Sequence, residues 1–314
     1  MNTHVPLRSI LLATNLTDID WLFPFTCSLA EESGAHITLV HVVSAWNGFT
    51  TDLAGNPYYN PSEAFDAATS YLKTACCREC AAKVKSEVVA IDGAPADGIL
   101  TMTKQAEADL LVMGTSCSRG VDKWLHGSVA EQVLRSSPIP VVTVGPKARN
   151  AAASGRPIKS ILFATSLLAD STDIVNLSVI LKWTARLHGH LTLLHVLPDE
   201  RTDTLAQERN CRAREDQLRS LLPEAALRDG LAHTCVRTGS PSREILAAAD
   251  HVDLITLGAL RNPVLGRFAA EGTLYKVLAE ARCPVATLHS EHVKARLHDV
   301  AKHIPPPSQA PSIL

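Results

Sequence analysis

The sequence predicts an α/β chain built twice, each copy an open sheet of five parallel strands with helices on both faces. Three observations carry this. Four segments recur in the same order: RSILLAT (residues 8–14) returns as KSILFAT (159–165), and HITLVHV (36–42) as HLTLLHV (190–196). DLLVMG (109–114) returns as DLITLG (253–258), and SPIPVVTV (137–144) as ARCPVATL (281–288). A period of about 150 residues is the size of a domain, not of a solenoid unit. Short β-rich runs alternate with helical stretches, the pattern of parallel strands joined by crossover helices. The strand runs are apolar almost throughout, as strands covered on both faces are. Together they describe two tandem doubly wound, Rossmann-like sheets. Ligands on such sheets sit beyond the carboxyl ends of the strands, at a switch point.

In the first copy, strands are expected at residues 9–14, 36–43, 86–91, 109–113 and 141–144, with helices at 22–33, 62–83, 95–106 and 128–136. In the second, strands at 160–165, 191–197, 232–238, 254–257 and 285–288 alternate with helices at 173–187, 203–221, 242–249 and 272–281. The domains are residues 1–147 and 158–290. Between them lies a small, polar linker, 148–157 (ARNAAASGRP). The tail, 291–314, ends in a proline-rich stretch expected to be disordered.

Residues 110–146 hold the chemistry. An apolar run, Leu110 to Met113, ends at Gly114, and a polar loop returns to Gly127. Ser128 then opens an amphipathic run with Val129, Val133 and Leu134 on one helix face, closed by Pro138 and Pro140. A helix start presents unpaired N–H groups and partial positive charge. Glycine admits a phosphate close to the backbone, and Ser128 adds a hydroxyl. A triphosphate between Gly114 and the Gly127–Ser128 turn is a sensible ligand. The plainer reading is that Gly114 ends a strand and Ser128 caps a helix.

This stretch resembles the universal stress protein family. Its ATP-binding members carry Gly, two residues, Gly, nine residues, Gly and then Ser or Thr between the fourth and fifth strands. Gly114, Gly127 and Ser128 stand at the first, third and fourth marks; Cys117 replaces the second glycine, and Gly120 follows three residues later. VAEQVLRSSPIPVVTV also resembles the family's helix and last strand. The resemblance implies a stress-response protein that binds an adenine nucleotide, ATP with or without magnesium, in its N-terminal domain and acts through an unknown protein partner. It implies that Gly114, Ser116, Gly127, Ser128 and Val129 hold phosphates and ribose. Ala13, Thr14, Asn15 and Val42 would face adenosine, with Met113 and Cys117 completing the set. The tandem halves would pair as two single-domain subunits do, through their last strands, 141–144 and 285–288, which hides an otherwise exposed sheet edge, with a homodimer as a further level of assembly.

The family's Thr-Asp pair after the first strand is Thr14-Asn15 here, which keeps hydrogen bonding and loses the charge. Asn15, and Ser166 in the second copy, also read as loop residues capping the next helix. The second ligand loop, GALRNPVLGRFAAEGT (258–273), keeps Gly272-Thr273 but has Arg261 at the second glycine mark and is one residue longer. Arg261 and Arg267 suit a phosphate contact. More simply, Arg261 fills the nucleotide's space and leaves this site degenerate.

Other features are read more plainly. The 44–61 loop carries Trp46, Phe49, Tyr58 and Tyr59. It is either a lid or partner loop or packs on its own domain. Cys76, Cys77 and Cys80 share a helix and lack the fourth ligand that tetrahedral zinc needs, so they read as core residues. Cys117, in the ligand loop, raises a redox-gated site as an alternative. Residues 91–100 (IDGAPADGIL) read as structural, and His41 and His195 as satisfied core histidines.

Composition sets the outer limits. The chain has 314 residues, 46% hydrophobic and 20% charged, with a formal net charge of −2. That gives ample core and no global attraction to nucleic acid or acidic membrane. No apolar run approaches the roughly 18 residues of a membrane span, and the start lacks a secretion signal, so a cytoplasmic protein is expected. Eight cysteines in a chain this long do not make a disulfide scaffold. There is no Walker lysine, no Ser-Gly-Gly loop after the first strand and no nucleophile–base pair at credible spacing. Catalysis beyond slow ATP hydrolysis is not expected. The competing class is a nucleotide-free structural or interaction protein with both sites degenerate.

Overall fold

All five residues of β1 (Ser9–Ala13) are buried, because helices cover both faces of the sheet it belongs to. The computed structural model describes residues 7–44, 49–51, 54–55, 57–59, 61–79, 84–115, 128–167, 171–199, 204–258 and 267–288. The first half continues with α1 (Ile19–Ser33), β2 (His36–Val43), a hairpin of β3 (Phe49–Thr51) and β4 (Pro57–Tyr59), and α2 (Pro61–Glu79). It closes with β5 (Ser86–Asp92), α3 (Pro95–Gln105), β6 (Leu110–Gly114), α4 (Val129–Ser136) and β7 (Val141–Val144). After α5 (Arg149–Ala153) come β8 (Ser160–Thr165), α6 (Ser171–Arg186), β9 (His190–Leu197), α7 (Thr204–Leu221) and α8 (Glu224–Arg228). The last elements are β10 (Ala232–Thr238), α9 (Pro241–Ala248), β11 (Leu254–Gly258), α10 (Arg267–Glu280) and β12 (Val285–Leu288).

Ten strands form one sheet, in the order β10-β9-β8-β11-β12-β7-β6-β1-β2-β5. Neighbours within each half are parallel, and β12 pairs with β7 antiparallel. The edge pairing expected of the two last strands is therefore present. Each half reverses its winding once, between β1 and β6 and between β8 and β11. Strand residues alternate between two apolar layers. One layer joins Ile10, Leu12 and Phe163 to α1, α2, α6 and α7; the other joins Leu11, Val40 and Leu162 to α3, α4, α9 and α10. Both layers run across the joint between the halves.

That joint is reinforced beyond the strand pair. Lys159 Nζ bonds Glu32 at 2.7 Å, Arg186 donates to the Ser33 carbonyl at 2.8 Å, and Lys147 pairs with Glu280. The stretch expected as a polar linker carries α5, whose Ala152 and preceding Ala148 bury against the α1 layer. Five residues cannot hold a helix alone, so this burial does. The 44–61 loop contains the β3–β4 hairpin, which the sequence reading did not place. Within residues 91–100, Gly93 makes the turn at φ 135° and Pro95 is the first residue of α3, as expected; Pro95 and Ile99 also line the cleft at the ends of β1, β2 and β6.

Cys76 is buried among core residues, while the side chains of Cys77 and Cys80 lie outside the described residues. Cys27, on α1, is disulfide-bonded. Burial pushes the Cys283 thiol up to about 12, so it is not a nucleophile at neutral pH. No helix among the described residues is long and apolar enough to cross a membrane.

Candidate functional site

The carboxyl end of β1 turns on a hydrogen-bonded knot. Thr14 N–H donates to the Val40 carbonyl at 3.0 Å, and Thr14 Oγ1 donates to Asp18 Oδ1 at 2.5 Å. The amides of Leu16 and Asn15 donate to Thr14 Oγ1 at 3.0 Å and to Asp18 Oδ1 at 3.2 Å. Leu16 is held at φ 74°, a region that L side chains avoid. The second half repeats the turn: Leu167 has φ 55° and donates to Thr165 Oγ1 at 3.1 Å. Asp18 occupies the N-cap of α1, yet its side chain makes no capping bond there and reaches back to the strand end.

Asp18 is buried. Desolvation raises its carboxyl pKa above the usual 3.8, outweighing the hydrogen bonds from Thr14 and Asn15, which favour the charge. Its Oδ2 lies 3.0 Å from where a Cβ on Gly114 would stand. Any side chain at position 114 would crowd that carboxylate, so glycine is required there on steric grounds. His41, on β2, places Nδ1 2.9 Å from the Thr14 carbonyl, so Nδ1 carries the proton and donates. His195 does the same to Thr165 at 3.0 Å, and both are the satisfied core histidines expected.

Asn15 is exposed, and its Oδ1 accepts from the Thr17 amide at 2.9 Å and hydroxyl at 2.8 Å. Asn15 thus closes a turn on Thr17, ahead of α1, and the N-cap of that helix is Asp18 rather than Asn15. The charge missing at Asn15 returns three residues on, at Asp18. Sequence reasoning passed over Asp18; the signal was a Thr and an Asp four apart around a helix start.

On the opposite wall, Ser128 is the N-cap of α4, extended at φ −70° and ψ 148°, with Oγ accepting from the Glu131 amide at 3.1 Å. The Ser128 proton stays available to a ligand, and the first-turn amides of Val129 and Ala130 have no intrahelical partner. The second half differs. Its retained Gly272-Thr273 pair lies inside α10, which starts at Arg267, five residues earlier than expected. Those amides run in a helix ladder and not at a helix start.

Between these walls, at the ends of β1, β2 and β6, lies a cleft of about 430 Å³. Of the expected site residues, Ala13, Thr14, Asn15, Val42, Met113, Gly114, Ser128 and Val129 all line it. Ser116, Cys117 and Gly127 lie outside the described residues. Val40, Ile99 and Thr115 join the lining, as do Asp18, Trp21 and Arg149. The last two meet across elements: the Arg149 guanidinium sits 4.5 Å from the Trp21 ring centroid. The volume is within the range of small-molecule sites, and the lining is nearly as polar as it is apolar.

The model of the universal stress protein family matches residues 7–145 and 157–289. A universal stress protein of Methanocaldococcus jannaschii is 39% identical over 61 residues, which is 19% of this chain and 36% of that relative. A putative universal stress protein of Staphylococcus saprophyticus is 25% identical over 142 residues, 44% of this chain and 83% of the relative. The chain thus spans about a third of the first relative's length and most of the second's. The crystal structure of a universal stress protein from Archaeoglobus fulgidus superposes with a TM-score of 0.67 at 19% identity, covering 92% of this chain and 98% of that one.

Proposed function

This chain belongs to the universal stress protein family, and from that premise we propose that its N-terminal half binds an adenine nucleotide, ATP in the first instance. The cleft is the observation that carries the reading. It sits at the switch point between β1 and β6, where doubly wound sheets take their ligands. Ala13, Val40, Val42, Ile99 and Met113 offer an apolar wall for a base and ribose. The Ser128 hydroxyl and the start of α4 offer donors for phosphate oxygens. Thr14 and Gly114 lie between the two. Magnesium, if it enters, comes with the phosphates.

The second half is proposed as the partner that completes the sheet, its own site degenerate, because Gly272-Thr273 does not open a helix. The protein acts by binding and by presenting its occupied or empty state to a protein partner, not by substantial catalysis. One observation favours the nucleotide-free alternative: Asp18 presses against Gly114, where the family pattern brings phosphate.

Mass spectrometry of the gently purified protein and thermal unfolding with ATP, AMP or adenosine decide between them. Co-purified adenine nucleotide is expected. At a ligand concentration of 100 Kd, stabilisation of about 2.7 kcal/mol is expected. An empty protein with no shift at millimolar ATP and magnesium overturns the nucleotide reading and leaves the interaction protein.

A further inference from the structure

The joint between the halves sends a cation into the first cleft. Arg149 is the first residue of α5, and its backbone is fixed because Ala148 and Ala152 bury against α1. Its guanidinium lies 4.5 Å from the Trp21 ring centroid, within cation–π range. Both residues line the cleft, and among the described lining residues Arg149 is the only lysine or arginine.

What sets Arg149 apart is an unmet bond. Its Nε is buried with no partner, and so is Nε1 of the Trp21 indole beneath it. No described carboxylate pairs with it. The only described acid in the lining is Asp18, one of whose oxygens takes the Thr14 and Asn15 donors while the other lies against Gly114. A buried donor without an acceptor is costly, and a structural arginine would normally satisfy its Nε. Stacking on an indole uses the face of the guanidinium and leaves its terminal in-plane N–H groups free to bond. The two terminal Nη groups match two oxygens of a phosphate group.

Resting on the nucleotide reading, we infer that Arg149 is a binding residue of this cleft: its face stays on Trp21, and its terminal Nη groups take a phosphate of the bound ligand. Its effect is selectivity for a phosphorylated nucleotide over the bare nucleoside. The residue comes from outside the glycine loop, from the segment that links the halves.

The test is calorimetric titration of ATP, adenosine and inorganic tripolyphosphate into the full chain, its Arg149→Gln variant and its Arg149→Lys variant. Circular dichroism and the unfolding midpoint report whether each variant is folded. Arg149→Gln is expected to weaken ATP about tenfold or more, to leave adenosine within about twofold, and to flatten the salt dependence of ATP binding. Arg149→Lys keeps the charge, loses the fork and falls between. Loss of ATP and adenosine together, in variants that fold, overturns the inference in favour of a packing role. Unchanged ATP affinity overturns it and leaves the nucleotide reading standing. Tripolyphosphate binding that Arg149→Gln abolishes, without any adenosine binding, upholds the anion site and removes the nucleotide. A parent protein that takes none of the three probes overturns both.

Discussion

Asp18 holds a carboxyl group that folding makes harder to ionise. Hydrogen bonds from Thr14 and Asn15 and the start of α1 all favour the charge, yet burial prevails and the folded pKa is raised. The native state therefore binds this proton more tightly than the unfolded chain does. The associated stability is complete below the unfolded pKa of 3.8 and is lost as pH rises through the folded value. Asp18→Asn stays neutral at every pH and still offers an oxygen to Thr14. Urea unfolding at about pH 3 and about pH 7 should show the variant gaining on the parent as pH rises. A difference independent of pH would mean that Asp18 is not held above the usual carboxylate range.

The two copies of one helix supply a prediction at the scale of the element. Ala35 N–H bonds the Ala30 carbonyl after α1, and Gly189 N–H bonds the Thr184 carbonyl after α6. That register sets Asn176 of α6 opposite Leu22 of α1. Both are fully buried, but neither Nδ2 nor Oδ1 of Asn176 has a partner. Leucine has the same number of side-chain heavy atoms and needs no acceptor. Asn176→Leu is expected to stabilise the chain by about 1–3 kcal/mol, read from the urea midpoint. A loss of stability would show that a bound water or a tight fit satisfies the amide. At the same scale, α5 shows the limit of pattern reading. RNAAA has the composition of a linker, and only contact with α1 makes it a helix that delivers Arg149 to the cleft.

At the scale of the whole molecule, the halves act as one sheet because β7 and β12 pair and α10 closes over the end of β7. A Cβ added to Gly145 would stand 2.2 Å from the Leu278 carbonyl oxygen, a backbone atom of the other half that cannot rotate away. Gly145→Ala is expected to cost about 1–3 kcal/mol or more by prying α10 from β7. Differential scanning calorimetry should show the loss as a lowered transition, or as two transitions where the parent has one. An unchanged thermogram would mean that the halves are not held at this point. The outer strands β5 and β10 are half-exposed, unlike the inner ones. Their Glu87 and Arg237 suit a sheet edge that must not recruit another chain.

The sequence by itself determined the duplication, the strands of each sheet, the pairing of the last strands and eight of the residues that line the cleft. The duplication and the strands are legible because burial leaves local marks, apolar runs and repeated segments; the pairing and the cleft residues followed from the resemblance of 110–146 to the family's loop, helix and last strand. Tertiary structure alone decided the rest. Asp18, Trp21 and Arg149 reach the cleft from a helix cap, a helix face and a short connecting helix. Thr14 and Asp18, four apart, leave a local mark, but nothing local encodes the meeting of Trp21 with Arg149 across elements. Gly272-Thr273 kept the motif's letters while α10 extended past them, since a helix start depends on where the chain enters the packed layer. Spacing in a sequence records which groups are present; only packing decides which of them face one another.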